Sequence, residues 1–93
     1  MEPIQSQAAN ATLENRIEDG VLTVFVSGHW VIANAMMLGG IVDRVAPTDV
    51  KRAVFDVSAL ERLDSTGALI LHKFRSRLEA DDVSVEISGL SDD

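Results

Sequence analysis

Asp64-Ser65-Thr66-Gly67 places a carboxylate, two hydroxyls and a glycine in consecutive positions, between an apolar strand-like run and a helical pattern. A hydroxyl at the start of a helix lies at the positive end of the helix dipole, among backbone N–H groups that no helical carbonyl satisfies. Such a position tolerates an added phosphate, at Ser65 or more weakly at Thr66, although the spacing alone favours a plain helix cap. Asp64 and Ser65 are both good N-cap residues, and as a bare cap Ser65 would contribute about 1 kcal/mol. Gly67 lets another backbone approach closely. A phosphate on Ser65 would add about −1.5 to −2 charge beside Asp64. The helix end favours that charge and Asp64 opposes it, so the expected effect is on partner binding rather than on folding.

The other polar residues offer less. Asp56, flanked by Phe55 and Val57 on a strand, is expected to support the turn by bonding to backbone near Ser65. Asp56 and Asp64 are not expected to act as a metal or acid–base pair, since each has a structural reading. His29 and His72 stand alone, without the ligand spacing zinc needs, and Gly28, Gly39 and Gly40 fit neither a P-loop nor a dinucleotide fingerprint. No nucleophile has a base in an assigned role. The expectation is a protein that is not an enzyme, with no metal and no cofactor.

Hydrophobic periodicity predicts the elements that position the turn. Thr12 to Ile17 reads as a short strand, Asp19-Gly20 as a hairpin turn, and Val21 to Ser27 as a second, antiparallel strand. Val31, Ala35, Leu38, Val42 and Val45 then recur at helical steps and predict one face of a helix ending before Pro47. Gly39 and Gly40 inside that helix cost about 1 kcal/mol each relative to alanine, which calls for close packing against a strand or a partner helix. Met36, Met37 and Ile41 lie beside or outside the stripe; they are expected to widen a core-facing stripe, the alternative being an adaptable apolar patch. Arg52 to Ser58 predicts a third strand, central and covered on both faces. The helix from Ser65 or Thr66 to about Ala80 carries Leu71, Phe74 and Leu78 on one face, while Leu69, His72, Lys73 and Ser76 share another. An apolar Leu69 one turn past Ser65 on a polar face fits a docking site. Val83 to Ile87 alternates as a fourth strand. Ser91 or Asp92 would cap a helix that has no body, so the domain is expected to be cut at Asp93 or to continue past it.

Composition narrows the function classes. Ninety-three residues make one domain, with Met1 to Asn10 a flexible leader and residues 11–93 the folded unit. A hydrophobic fraction of 46% with only Trp30, Phe25, Phe55 and Phe74 as aromatics suits a sheet covered by helices. The net charge of −7 disfavours nucleic acid and anionic lipid surfaces as partners and favours neutral or basic proteins. There are no cysteines, which fits a reducing compartment. No signal peptide is read at the start, and the apolar stretch from Trp30 to Val42 is shorter than the roughly 20 residues of a membrane span. Direct membrane insertion of this chain is not expected.

The segments Val54-Phe55-Asp56-Val57-Ser58 and Leu63-Asp64-Ser65-Thr66-Gly67 together resemble the signature of STAS domains, the family of sulfate transporters and anti-sigma factor antagonists. The resemblance covers about residues 11–93. It implies a small α/β domain with a mixed four-stranded sheet covered by helices, its final helix missing or truncated here, that binds partner proteins and is not an enzyme. In several members the residue matching Ser65 is phosphorylated by a partner kinase, which exchanges one partner for another. Antagonists carry Asp at the position of Val31. The run Gly28-His29-Trp30 with Leu60 to Ala68 is more similar to STAS domains attached to permeases of Mla-type lipid ABC transporters. The leading expectation is therefore docking on the ATPase subunit of such a transporter through Asp64, Ser65, Thr66 and Gly67 and, on the following helix, Leu69, His72 and Lys73. The alternative is an anti-sigma factor antagonist switched by a kinase at Ser65. Either reading places the chain in the cytoplasm, at the inner membrane if it is fused to a permease.

Overall fold

A computed structural model describes residues 10–90 of the chain. Four strands and two α-helices follow in the order β1 (Ala11–Glu18), β2 (Val21–Trp30), α1 (Ala35–Asp43), β3 (Arg52–Leu63), α2 (Ser65–Ala80) and β4 (Ser84–Ser88), with a 3-10 turn at Ile32–Asn34 leading into α1. The sheet order is β1-β2-β3-β4; β1 pairs antiparallel with β2, while β2, β3 and β4 run parallel. The expected mixed four-stranded α/β fold is what forms. The leader through Ala9 and the expected cap at Ser91 or Asp92 lie outside the described residues.

The hairpin closes on Asp19 and Gly20, with φ of 53° and 78°. Positive φ at both positions is what a two-residue turn needs to match the twist of its strands, and an Asp-Gly pair supplies it at low strain. Its register sets Leu13 beside Val26 and Ile17 beside Leu22.

Each crossover steps the chain one strand further in the same direction, and right-handed crossovers then place both helices on one face of the sheet. That face holds the core: Leu22, Val24 and Val26 of β2 and Ala53, Phe55 and Val57 of β3 pack under Leu38 and Val42 of α1 and Phe74 and Leu78 of α2. The rings of Phe55 and Phe74 stack with centroids 5.0 Å apart. The expectation that β3 is covered on both faces is corrected here. Val54 and Asp56 face the side without helices, where the Arg16 guanidinium lies 5.7 Å from the Phe25 ring centre. The apolar run of β3 is broken by Asp56 on this open face, where Val54 is only half-buried.

Two further expectations change. Strands β2 and β3 run on to Trp30 and Leu63, beyond the predicted ends at Ser27 and Ser58, through register shifts at Phe25/Ser27 and Gly28/His29. Irregular pairing of this kind breaks the two-residue alternation that sequence reading relies on. The predicted helix from Val31 accordingly begins only at Ala35. Its stripe does face the core, since Leu38, Val42 and Val45 are buried. Met36 and Met37 do not: they are 94% and 45% exposed, and Ile32 is 69% exposed. A Cβ added to Gly39 or Gly40 would meet nothing within 4 Å, so neither glycine is explained by packing within the described chain.

Candidate functional site

The turn between β3 and α2 is fixed from three directions. Asp64 is the N-cap of α2, in extended conformation, and its Oδ1 accepts from the Gly67 N–H at 2.9 Å. Its Oδ2 accepts from the Ile32 N–H at 2.9 Å, and its own N–H donates to the Trp30 carbonyl at 3.3 Å. Gly67 lies against the same carbonyl: a Cβ there would stand 1.8 Å from Trp30 O. The glycine is thus required by a close backbone approach, as its position in the run suggested. Trp30 itself is fully buried, with its indole N–H donating to the Ser27 carbonyl at 3.1 Å.

These bonds settle the charge of the site. The Gly67 N–H, then the Ile32 N–H, hold the Asp64 carboxyl below its ordinary range against a weaker opposing effect of burial. Hydrogen bonds to the charged form favour it, so Asp64 is a carboxylate at neutral pH.

Asp64 rather than Ser65 is the cap; Ser65 is the first helical residue and is exposed. Its hydroxyl is therefore not consumed in capping and stands at the helix end beside an anionic Asp64. Thr66 follows half-buried and Gly67 buried. Helical spacing puts Leu69, His72 and Ser76 on the stripe that Ser65 begins, with Lys73 next to it. All four are exposed, Leu69 to 51%. The predicted residues Asp64, Ser65, Thr66, Gly67, Leu69, His72 and Lys73 thus fall on the N-cap and about the first two and a half turns of α2, with Gly67 buried and Ser65, Leu69 and His72 on one exposed stripe.

Asp56 does not join them. Its Oδ1 accepts from the backbone N–H of Ser58 at 3.0 Å and from the Ser58 hydroxyl at 2.7 Å, which lower its carboxyl from the ordinary value. The expected bond to backbone near Ser65 is corrected: β3 continues past Ser58 to Leu63, and the turn is closed by Asp64 and Trp30 instead.

Sequence reasoning missed Ile32 and the surface it starts. Ile32 meets the turn through its backbone N–H, and exposed Met36 follows it one helical turn later. Nearby, Asn34 Nδ2 donates to the His29 carbonyl at 2.8 Å, and His29 Nε2 lies 3.3 Å from Glu61 Oε1. A shallow apolar groove of about 230 Å³ between α2 and β4 is lined by Phe55, Val57, Leu63, Leu71 and Ile87 together with His72 and Arg75. Among the described residues no group of three or more His, Cys, Asp or Glu is placed to hold a metal ion. No helix among them is long and apolar enough to cross a membrane.

The family model described as STAS domain matches residues 12–93. Comparison with curated proteins gives no match. Among solved structures, an antisigma-factor antagonist STAS domain from Rhodobacter sphaeroides superposes with a TM-score of 0.72 at 16% identity, over 85% of this chain and 86% of that one. At that identity the likeness speaks for the fold alone. An anti-sigma factor antagonist from Mycobacterium paratuberculosis gives a TM-score of 0.71 at 28% identity, over 85% of this chain and 67% of that one. A sulfate transporter family protein from Wolinella succinogenes gives 0.64 at 25% identity, over 83% of this chain and 62% of that one, so this chain spans under two thirds of its length. The parallel strands, the capped turn and the match over nearly all of the described residues lead to one conclusion: the chain belongs to the STAS domain family.

Proposed function

We propose that this chain is a regulatory docking domain, without catalysis of its own, that binds a protein partner through the Asp64-to-Gly67 turn and the outer stripe of α2. Its partner in this reading is an anti-sigma factor kinase, and Ser65 is the residue that kinase phosphorylates. The observation that carries the reading is the exposed Ser65 hydroxyl at the first position of α2, left free because Asp64 does the capping. The likeness to the Mycobacterium paratuberculosis antagonist, at 28% identity, supports the same choice of partner. A phosphate there would add about −1.5 to −2 charge next to an anionic Asp64, enough to repel a partner surface built to meet a hydroxyl.

A second reading keeps the surface and changes the partner. Val31, where antagonists carry Asp, supplies no side-chain oxygen to the 3-10 turn it precedes. That residue, with Gly28-His29-Trp30, favours docking on the ATPase subunit of a lipid ABC transporter, with this chain attached to or encoded beside the permease. None of the three compared proteins is described as part of a lipid transporter.

Both readings share a test. Ser65→Glu and Leu69→Asp change exposed side chains on α2, so each variant should fold as the parent does. Each should lose binding to the ATP-utilising protein encoded beside the gene. Incubation with a neighbouring kinase and ATP separates the readings: one phosphate on Ser65, located by mass spectrometry, supports the antagonist, and an unmodified chain that still binds a transporter ATPase supports the second. Normal binding by both variants would remove the surface from consideration.

A further inference from the structure

The two oxygens of the Asp64 carboxylate serve two different elements. Oδ1 caps α2 by accepting from Gly67, while Oδ2 reaches the Ile32 N–H at the start of the 3-10 turn before α1. Capping requires only the first bond, and Ser or Asn would provide it. A carboxylate is distinctive in offering two acceptor oxygens and no donor. The second bond meets a need on the other side, because the cap of the 3-10 turn is Val31 and its side chain accepts nothing. Ile32 is exposed, and Met36 one helical turn later is more exposed than any other large apolar residue described.

We infer that Asp64 is the positioning residue of the docking surface: it clasps the Ile32 turn to the first turn of α2, so that Ile32 and Met36 join Ser65 and Leu69 in one surface. The inference rests on the proposed use of the α2 stripe and adds the second element and the chemistry of the partner. No charged side chain occurs from Val31 to Val42, so the partner opposite this half must bring an apolar, uncharged patch. The net charge of −7 draws a partner whose patch is ringed by Lys and Arg.

Asp64→Asn separates the clasp from the cap. Its amide oxygen still accepts from Gly67, but its NH₂ group then faces the Ile32 N–H, donor against donor. Asp64→Ser is the second variant, able to cap yet too short to reach Ile32. Nuclear magnetic resonance of the chain by itself reads the result. In both variants the Ile32 amide should exchange about tenfold faster, as for loss of one hydrogen bond to a charged group, and the Met36 methyl signal should shift while Gly67 stays protected. An Ile32 amide and a Met36 methyl unchanged in both variants would overturn the clasp, whatever the partner does. Binding of the ATP-utilising protein encoded beside the gene is then measured with Ile32→Asp. Loss of binding is expected. Retained binding, together with loss in Leu69→Asp, would confine the surface to α2 and overturn the joined surface while leaving the proposed function in place.

Discussion

Glycine appears at two places on the helical side of this domain, and the surroundings are opposite. At Gly67 the space for a side chain is already taken by the Trp30 carbonyl, 1.8 Å from where a Cβ would be. At Gly39 and Gly40 nothing stands within 4 Å. The first glycine is explained by the fold, because without it α2 could not start against the end of β2. The second pair weakens α1 and gains no contact within the described chain, on the same helix that exposes Met36 and Met37. A residue that is unfavourable for the isolated domain thus stands beside exposed apolar side chains, and no contact within the described residues accounts for either.

Substitutions at the two places should move stability in opposite directions. Gly67→Ala must displace α2 or the Trp30 segment, and it is expected to lose about 3 kcal/mol in urea denaturation, the upper range for overpacked sites. A loss below about 1 kcal/mol would mean that the two backbones separate easily.

The next effect tests what holds α1 in place. Arg77 reaches from α2 to the end of α1, donating to the Val42 carbonyl at 2.7 Å and the Val45 carbonyl at 2.9 Å, with its guanidinium 5.3 Å from the Phe74 ring centre. Arg77→Ala should cost about 1–2 kcal/mol, and Arg77→Lys should recover only part of it because the forked pair of donors is gone.

Gly40→Ala sharpens the comparison from the other side. With open space and a helical backbone, alanine should stabilise the domain by about 0.5–1 kcal/mol in the same denaturation experiment. If the same variant binds the partner more weakly while folding more tightly, the glycine serves the interface. A destabilised Gly40→Ala would show that the helix has a constraint the free domain already feels.

The smallest effect is on acid stability. Asp64 has its carboxyl lowered from the ordinary 3.8 by the Gly67 and Ile32 N–H groups, so its contribution is present above that ordinary value and fades as pH falls through the folded-state one. Denaturation midpoints should therefore drop as pH goes below about 4, and Asp64→Asn should show less of that drop.

Much of this arrangement is legible in the sequence because it depends on local rules. Asp19-Gly20 announces its hairpin by conformation, and Asp64-Ser65-Thr66-Gly67 announces a capped helix start with a close approach. What was not legible depends on residues distant in sequence. The lengths of β2 and β3 follow from register shifts that no alternation pattern records. Met36 and Met37 lie beside or outside the periodic stripe on a helix that is apolar nearly all round, so its composition, and not its periodicity, suggests a stripe wide enough to bury them. Asp56 finds Ser58 two residues away, and nothing in its neighbours distinguishes that bond from one to the turn. Ile32 enters the site through a backbone N–H, a group every residue but proline carries, 32 positions from its acceptor.

The central claim, that the Asp64 turn and the outer stripe of α2 form the surface a partner protein meets, is tested most directly by mapping that contact on the labelled domain. Nuclear magnetic resonance signals would be followed as the ATP-utilising protein encoded beside the gene is added. The largest changes are expected at Ser65, Thr66, Leu69 and His72, with the open sheet face around Phe25 and Val54 unchanged. Changes centred on that sheet face, or on the groove between α2 and β4, with Ser65 and Leu69 silent, would contradict it.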